Sequence, residues 1–475
     1  MKEVIDSTAH ADKGYMYADD FVKPLYAQTE PQDGMTGQDS LYWVSEWGID
    51  DRAEALLDWL DGVERQGLRR SSFHVEEIRE DLASFRKLRP DSCTEEEVCV
   101  LLGRLEWRLT SAYARFAYGQ RYGYTKPNAI FNKLLFDKSA NSYRRIFDHE
   151  IDTPTDSLMK VAIEGVADVA SLNDFLAAQQ PSDSLYAQLA QEYVRAKKAG
   201  ETRRAELCRI NLERARWRYP RPQHTGKYVW VNLSEQMLTA VDADHGKRLR
   251  MKVCFGNQSH KTPLLTSQIN RLELNPYWVI PPSIVKNEIA PAHTGDAAYF
   301  SRNRYVAIHK ETKAEVSPAS LTRSDLLSGR YTLRQERGAG NALGRLIFRF
   351  PNRFSVYLHD TSSPGAFSKS TRTVSHGCVR VQKPLDLAIF LMDNPTDKLI
   401  DKIRVAIDKA PLTQEGRQYK ETTAPDKYMK SHSFKPAIPV FLDYYTLYPD
   451  STGKLTEHSD LYNYDKEVAK ALDAF

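Results

Sequence analysis

No stretch of this 475-residue sequence approaches the roughly 18 uninterrupted apolar residues that a membrane-crossing helix needs. The longest candidate, Leu385 to Met392, is interrupted by Asp386. The opening Met1-Lys2-Glu3-Val4-Ile5-Asp6 lacks the apolar core of a secretory signal, so either the protein works in the cytoplasm or a leader stands upstream and is removed. An excess of charge of one sign is also missing. Lys and Arg number 66 against 63 Asp and Glu, and a surplus of +3 is too small for the broad cationic face that nucleic acid binding requires. Cysteine is sparse: Cys93, Cys99, Cys208, Cys254 and Cys378 are odd in number and contain no C-x-x-C pair, which removes the zinc-ribbon and thioredoxin-like readings. At least one thiol stays free or pairs with another chain. Cys93 and Cys99 fall on different faces of a predicted helix, so no bridge is expected between them. Internal repeats and low-complexity tracts are absent.

What is present is the composition of an ordinary globular chain, 41% hydrophobic and 27% charged, with length for about two to four domains. Residues 1–40 are polar, carry Pro24, Pro31, Gly34 and Gly37, and read as an extended or disordered arm. Residues 41–220 are helical by period. Ala55, Leu56, Leu57, Trp59 and Leu60 mark one apolar face, and Ile78, Leu82 and Phe85 another. Val98, Leu101, Leu102, Leu105, Leu109, Tyr113 and Phe116 recur at three-to-four spacing along a long helix. Pro220 and Pro222 then stop the helical pattern and mark a domain boundary.

Over 221–475 the period changes to two, in Tyr228 to Leu233, Leu238 to Val241 and Leu249 to Phe255. Residues 281–330, punctuated by Pro281, Pro282, Gly295 and Gly329, break this rhythm with a mixed helical centre and read as an insertion. A strand from Phe354 to Leu358, a helix from Pro384 to Met392 and a late strand from Ile438 to Tyr448 complete the pattern. The fold class is α+β, a helical domain followed by a β-rich one.

The chemistry concentrates in Tyr357-Leu358-His359-Asp360-Thr361 and Val374-Ser375-His376-Gly377-Cys378-Val379-Arg380-Val381. A nucleophilic thiol needs a neighbour that favours its thiolate, and imidazole and guanidinium both serve. Gly377 leaves the backbone before Cys378 uncrowded, so a carbonyl can approach the sulfur while main-chain N–H groups receive a developing oxyanion. By residue type alone, His359, His376 and Cys378 also allow a metal site.

These residues resemble the L,D-transpeptidase catalytic domain, whose signature is a His at a strand end, a loop, and Ser-His-Gly-Cys with Arg or Asn two residues on. The resemblance runs from about Lys227 to Val381. It includes Asn275-Pro276-Tyr277-Trp278-Val279-Ile280-Pro281-Pro282-Ser283-Ile284 and Gly338-Ala339-Gly340-Asn341-Ala342-Leu343-Gly344, which look like the larger envelope subgroup with an N-terminal helical scaffold domain. It implies Cys378 as nucleophile and His359 as base, with no metal and no cofactor. Tyr357, Asp360, Ser375, His376, Gly377 and Arg380 would shape the oxyanion and substrate side. A backbone carbonyl just after the base, here that of Asp360, would orient it, and 281–330 would be a capping subdomain or lid.

The implied partners are peptidoglycan tetrapeptide stems as donor and acceptor, carbapenem β-lactams and other cell-wall enzymes. The implied process is cell wall biogenesis and the maintenance of cell shape. The place is the periplasm or cell envelope, with a leader or lipoprotein signal upstream. No peptidoglycan-binding module is visible between the two domains. An L,D-carboxypeptidase, a wall cysteine peptidase or amidase, and an inactive wall-binding scaffold are the alternatives. Papain-like enzymes place Cys before His, the reverse of the order here.

Overall fold

The computed structural model describes residues 2–12, 18–27, 41–45, 48–89, 91, 93–137, 141–219 and 225–475. They form two compact units, one of residues 1–221 with 445–475, the other of residues 222–444.

The first unit is built around the helix Glu95–Tyr122. Thr94 and Glu97 start it with reciprocal side-chain caps on each other's backbone N–H. Its second half is buried almost all round, as a central helix must be. The expected arm is not what the described N-terminal residues form. Lys2–Ala11 and Ala18–Ala27 are helices that pack against the central one. Buried Ile5, Val22 and Tyr26 supply the apolar contacts. Tyr26 hydrogen-bonds Glu106 at 2.8 Å, and Asp12 pairs with Arg115 at 2.8 Å. Burial works against ionisation of Asp12, but the His74 hydrogen bond and the Arg115 charge hold its carboxyl below the usual range. These tertiary partners lie far along the chain, so local composition could not announce them. Pro31, Gly34, Gly37, Pro220 and Pro222 lie outside the described residues.

A second correction concerns the C-terminus. The expected β-rich domain ran to residue 475, yet residues 445–475 belong to the helical unit. Phe475 packs on Tyr124 and Phe73, with ring centroids 4.7 and 5.5 Å away, and Arg214 pairs with Asp465 at 2.6 Å. The helix Tyr464–Ala474 thereby fills the core of a unit whose other members precede it by hundreds of residues.

The second unit is a strand ring. In order round the sheet lie Leu346–Arg349, Leu358–His359, Val379–Val381, Lys247–Gly256, Met237–Asp242, Lys227–Asn232, Ser431–Asp443 and Leu264–Leu274, which pairs back to Leu346–Arg349. Closure leaves no open edge along this path. Most pairings are antiparallel, but Leu358–His359 with Val379–Val381, and Ser431–Asp443 with Lys227–Asn232, are parallel. The alternation read in the sequence buries Val229, Val231, Leu238, Ala240, Val379 and Val381.

The insertion has its own small sheet. Trp278–Val279, Tyr331–Gln335, Tyr305–His309 and Glu315–Val316 pair antiparallel in that order. Phe300, Ile289, Ala307 and Leu333 form a core of their own beneath short helices. The mixed helical centre is present as Pro282–Ile284, Ala290–His293, Ala297–Arg302 and Arg323–Leu327, and the residues flanking the segment meet in a paired stem, Trp278↔Gln335 and Val279↔Arg334. Tyr277 braces that stem between the Arg334 and Arg337 guanidiniums, 4.3 and 4.2 Å from its ring.

Candidate functional site

The two motif segments meet because their strands are neighbours in the ring. Leu358 pairs with Val379 and His359 with Arg380, and the Val379 N–H donates to the Tyr357 carbonyl at 3.0 Å. With a side-chain period of two, Leu358, Val379 and Val381 turn to the core, all fully buried. Tyr357, His359 and Arg380 share the opposite face, and Cys378, two residues before Arg380, continues it. On the other side Ile347 pairs with His359, so Arg349, two residues on, lies beside Tyr357 and stacks over its ring at 4.2 Å.

The turn into Cys378 is held by two hydroxyls. Ser375 Oγ donates to the Cys378 carbonyl at 2.6 Å and accepts from the Gly377 N–H at 3.1 Å. Thr262 Oγ1 donates to the Gly377 carbonyl at 2.8 Å and accepts from the Gly256 N–H at 2.9 Å. Gly377 adopts φ +115°, a conformation that side-chain-bearing residues rarely enter, which is the physical demand for glycine here. Its N–H is committed to Ser375 within the turn. Among the described residues the Cys378 N–H makes no hydrogen bond.

His359 is 3% exposed, and its Nδ1 donates to the Leu343 carbonyl at 3.3 Å. Burial, then the Arg380 charge, lowers its pKa to about 4 against the pull of the Asp360 and Leu343 backbone. The ring is neutral at pH 7, with Nε2 left as the lone-pair nitrogen. The Leu343 carbonyl is delivered by a braced loop. Fully buried Asn341 accepts from the Leu343 N–H at 2.9 Å and donates to the Pro276 and Glu336 carbonyls at 3.3 and 3.0 Å. Asp360 closes the loop from beneath, accepting from the Arg345 N–H at 2.8 Å. The Leu343 carbonyl thus orients the ring, while the Asp360 side chain braces the loop that carries it.

The Cys378 thiol is half-buried, with Sγ 3.8 Å from the Ser355 carbonyl. Burial pushes its pKa up, and the Tyr357 backbone, Arg349 and Arg380 pull it back. The resting pair is therefore a neutral thiol with a neutral imidazole. Cys208 and Cys254 are fully buried, their thiols raised by burial, that of Cys208 to about 12. All five thiols are free.

Read together, the two units agree with their relatives. Residues 226–407 match the family model of the L,D-transpeptidase catalytic domain, and residues 35–192 match that of a scaffold domain. Residues 226–407 are thus similar to the L,D-transpeptidase catalytic domain. It is also similar to a Haemophilus influenzae protein named "Putative L,D-transpeptidase", 28% identical over 246 residues. That match covers 52% of this chain and 45% of the relative, so it spans under half of the relative's own length.

Within this matched segment the site residues separate into three groups. Tyr357, His359, Cys378 and Arg380 share one face. Ser375, Gly377 and Asp360 set backbone. His376 diverges: it is exposed, with Nε2 on Glu288 of the inserted subdomain at 2.9 Å and its ring 4.5 Å from that of His260. His376 does not converge with His359 and Cys378, and among the described residues no cluster of three His, Cys, Asp or Glu can hold a metal. Sequence reasoning missed Arg349, Asn341, Leu343 and Glu288. Arg349 stood in view as a cation between Phe348 and Phe350, but only strand pairing puts it beside the thiol. An open groove of about 880 Å³ in the helical unit, lined by Trp59, Arg65 and Asn173 among others, brings no nucleophile and base together.

Proposed function

We propose that this protein is a peptidoglycan L,D-transpeptidase that forms 3→3 cross-links through a Cys378 thioester, with His359 as its base. The observation that carries this reading is a neutral imidazole whose Nδ1 is committed to the Leu343 carbonyl, on the face that carries a half-buried thiol. That is the starting state for concerted deprotonation, since a base must hold a free lone pair when substrate arrives.

In the first half-reaction the Cys378 proton passes to His359 Nε2 while Sγ bonds to the carbonyl carbon of the third stem residue. The Cys378 N–H faces the oxyanion. Collapse breaks the C–N bond, and His359 returns the proton to the leaving amine of D-Ala. In the second half-reaction an amine on the third residue of another stem attacks the thioester. Its proton passes to His359 and then to the departing sulfur. Water in place of that amine yields an L,D-carboxypeptidase. The inserted subdomain, reaching the Cys378 turn through Glu288, acts as a lid that limits water. Carbapenems acylate the same thiol, and the work belongs in the periplasm or cell envelope beside other wall enzymes.

Incubation with purified disaccharide-tetrapeptide muropeptides, read by mass, is the test. Cross-linked dimer is the expected product. Tripeptide alone would replace the reading with a carboxypeptidase. No change with substrate and no carbapenem adduct on Cys378 would leave an inactive wall-binding scaffold.

A further inference from the structure

The two guanidiniums beside the thiol differ in what balances them. Arg349 is compensated, with Nε and Nη2 3.0 and 2.9 Å from Glu273 Oε2 and its plane over Tyr357. Arg380 is not. It lies opposite His359 on one neighbouring strand and Cys254 on the other, half-buried. Its Nε is shut off from solvent without a hydrogen-bond acceptor, and no carboxylate pairs with it among the described residues. Its neighbours on that face, imidazole and thiols, are neutral at pH 7. A half-buried cation with an unmet N–H is what proteins avoid unless a ligand completes it.

We propose that Arg380 binds the free α-carboxylate of the residue that leaves the acyl donor, restricting attack to the last peptide bond of a stem. This deepens the transpeptidase reading and rests on it. Arginine presents parallel N–H groups that match a carboxylate's two oxygens. The scissile carbonyl and the terminal carboxylate of a donor are separated by one residue. Cys378 and Arg380 are two residues apart on an extended backbone, about 6.6 Å, which the long Arg380 side chain spans. A stem longer by one residue puts a neutral amide where the carboxylate belongs and leaves the buried N–H unmet.

The test compares, with the full chain, a disaccharide-tetrapeptide ending in a free carboxylate and the same compound ending in a carboxamide. Release of D-alanine or D-alaninamide is followed for each. The wild type is expected to favour the acid in kcat/KM by on the order of 10²-fold. Arg380→Gln is expected to collapse that ratio toward one, chiefly through KM for the acid, and Arg380→Lys to keep part of it. Comparing that ratio between variant and wild type cancels the different leaving abilities of the two amines and any general loss of activity. Circular dichroism checks the fold, with Arg380→Lys as the second variant should Arg380→Gln be unstable.

An unchanged ratio in Arg380→Gln, whatever the absolute rates, would overturn the proposal and assign Arg380 to the thiolate alone. Turnover by the wild type without preference for the acid would overturn this inference and leave the transpeptidase reading standing. No turnover of either compound would overturn both.

Discussion

Two histidines flank the loop that leads to Cys378, and they stand in opposite physical situations. His359 is fixed in a hydrogen-bonded strand, buried, with its ring on a carbonyl that Asn341 and Asp360 hold from both sides. His376 is exposed and is held by Glu288, another exposed group, on the inserted subdomain. The contrast teaches where a base can be built. A proton acceptor in a fixed tautomer needs backbone scaffolding around it, whereas a rim histidine on one solvent-screened partner suits contact with a moving element.

The sharpest test of that contrast removes the thiol proposed as nucleophile. Cys378→Ala is expected to give no carbapenem adduct by mass and product formation below about 10⁻³ of wild type, with an unchanged circular dichroism spectrum. Next come the histidines themselves. His359→Ala should lower kcat by roughly 10²–10⁴-fold, and His376→Ala by less than about tenfold. The reverse order in a steady-state assay would transfer the base role to the rim.

The scaffolding is probed one step further back. Asn341→Ala strands the buried Leu343 N–H and two carbonyls. It should destabilise the domain by about 1–3 kcal/mol in urea unfolding and lower kcat about tenfold as the Leu343 carbonyl drifts. A full loss of stability without a change in kcat would break the link between Asn341 and the His359 ring.

Protonation gives a further test. Because the His359 pKa is lowered to about 4, its base form persists as pH falls through the ordinary imidazole range. The acid limb of kcat/KM should therefore appear only near pH 4. A limb near pH 6.5 would show an unperturbed ring instead. The thiol moves the other way, so iodoacetamide alkylation of Cys378 in the resting enzyme should be slow at pH 7 and climb only above the usual thiol range. The smallest effect is expected at the rim. Glu288→Gln removes an exposed contact of less than about 1 kcal/mol and should shift the dimer-to-tripeptide ratio by under about fivefold, less still at high salt.

How much of this was legible depended on whether a feature is local. The strand periods, the long apolar helix and the occurrence of a thiol motif after a His are written in neighbouring residues, and they carried the α+β class and the choice of His359 and Cys378 as candidates. The role of His376 was not legible, because Ser-His-Gly-Cys reads the same whether its His points at substrate or at Glu288 nearly ninety residues earlier. The arm was misread for a related reason: a polar stretch containing Tyr26 and Asp12 becomes helix only when Glu106 and Arg115 of the central helix receive them.

By itself the sequence determined which groups are available: one thiol in a reactive setting, an imidazole on a strand, a change of period near residue 220 and no membrane-crossing run. These are properties of residue identity and spacing, which sterics and side-chain periodicity translate directly. The tertiary structure alone decided which charges are balanced. Arg349 meets Glu273 because two distant strands close the ring, and Arg380, two rungs away, meets no carboxylate among the described residues. It also decided that residues 445–475 complete the helical unit and that the Leu343 carbonyl meets the His359 ring. The physical reason is the same each time. Burial and electrostatic compensation are set by what arrives from elsewhere in the chain, and that is known only once the chain has closed on itself.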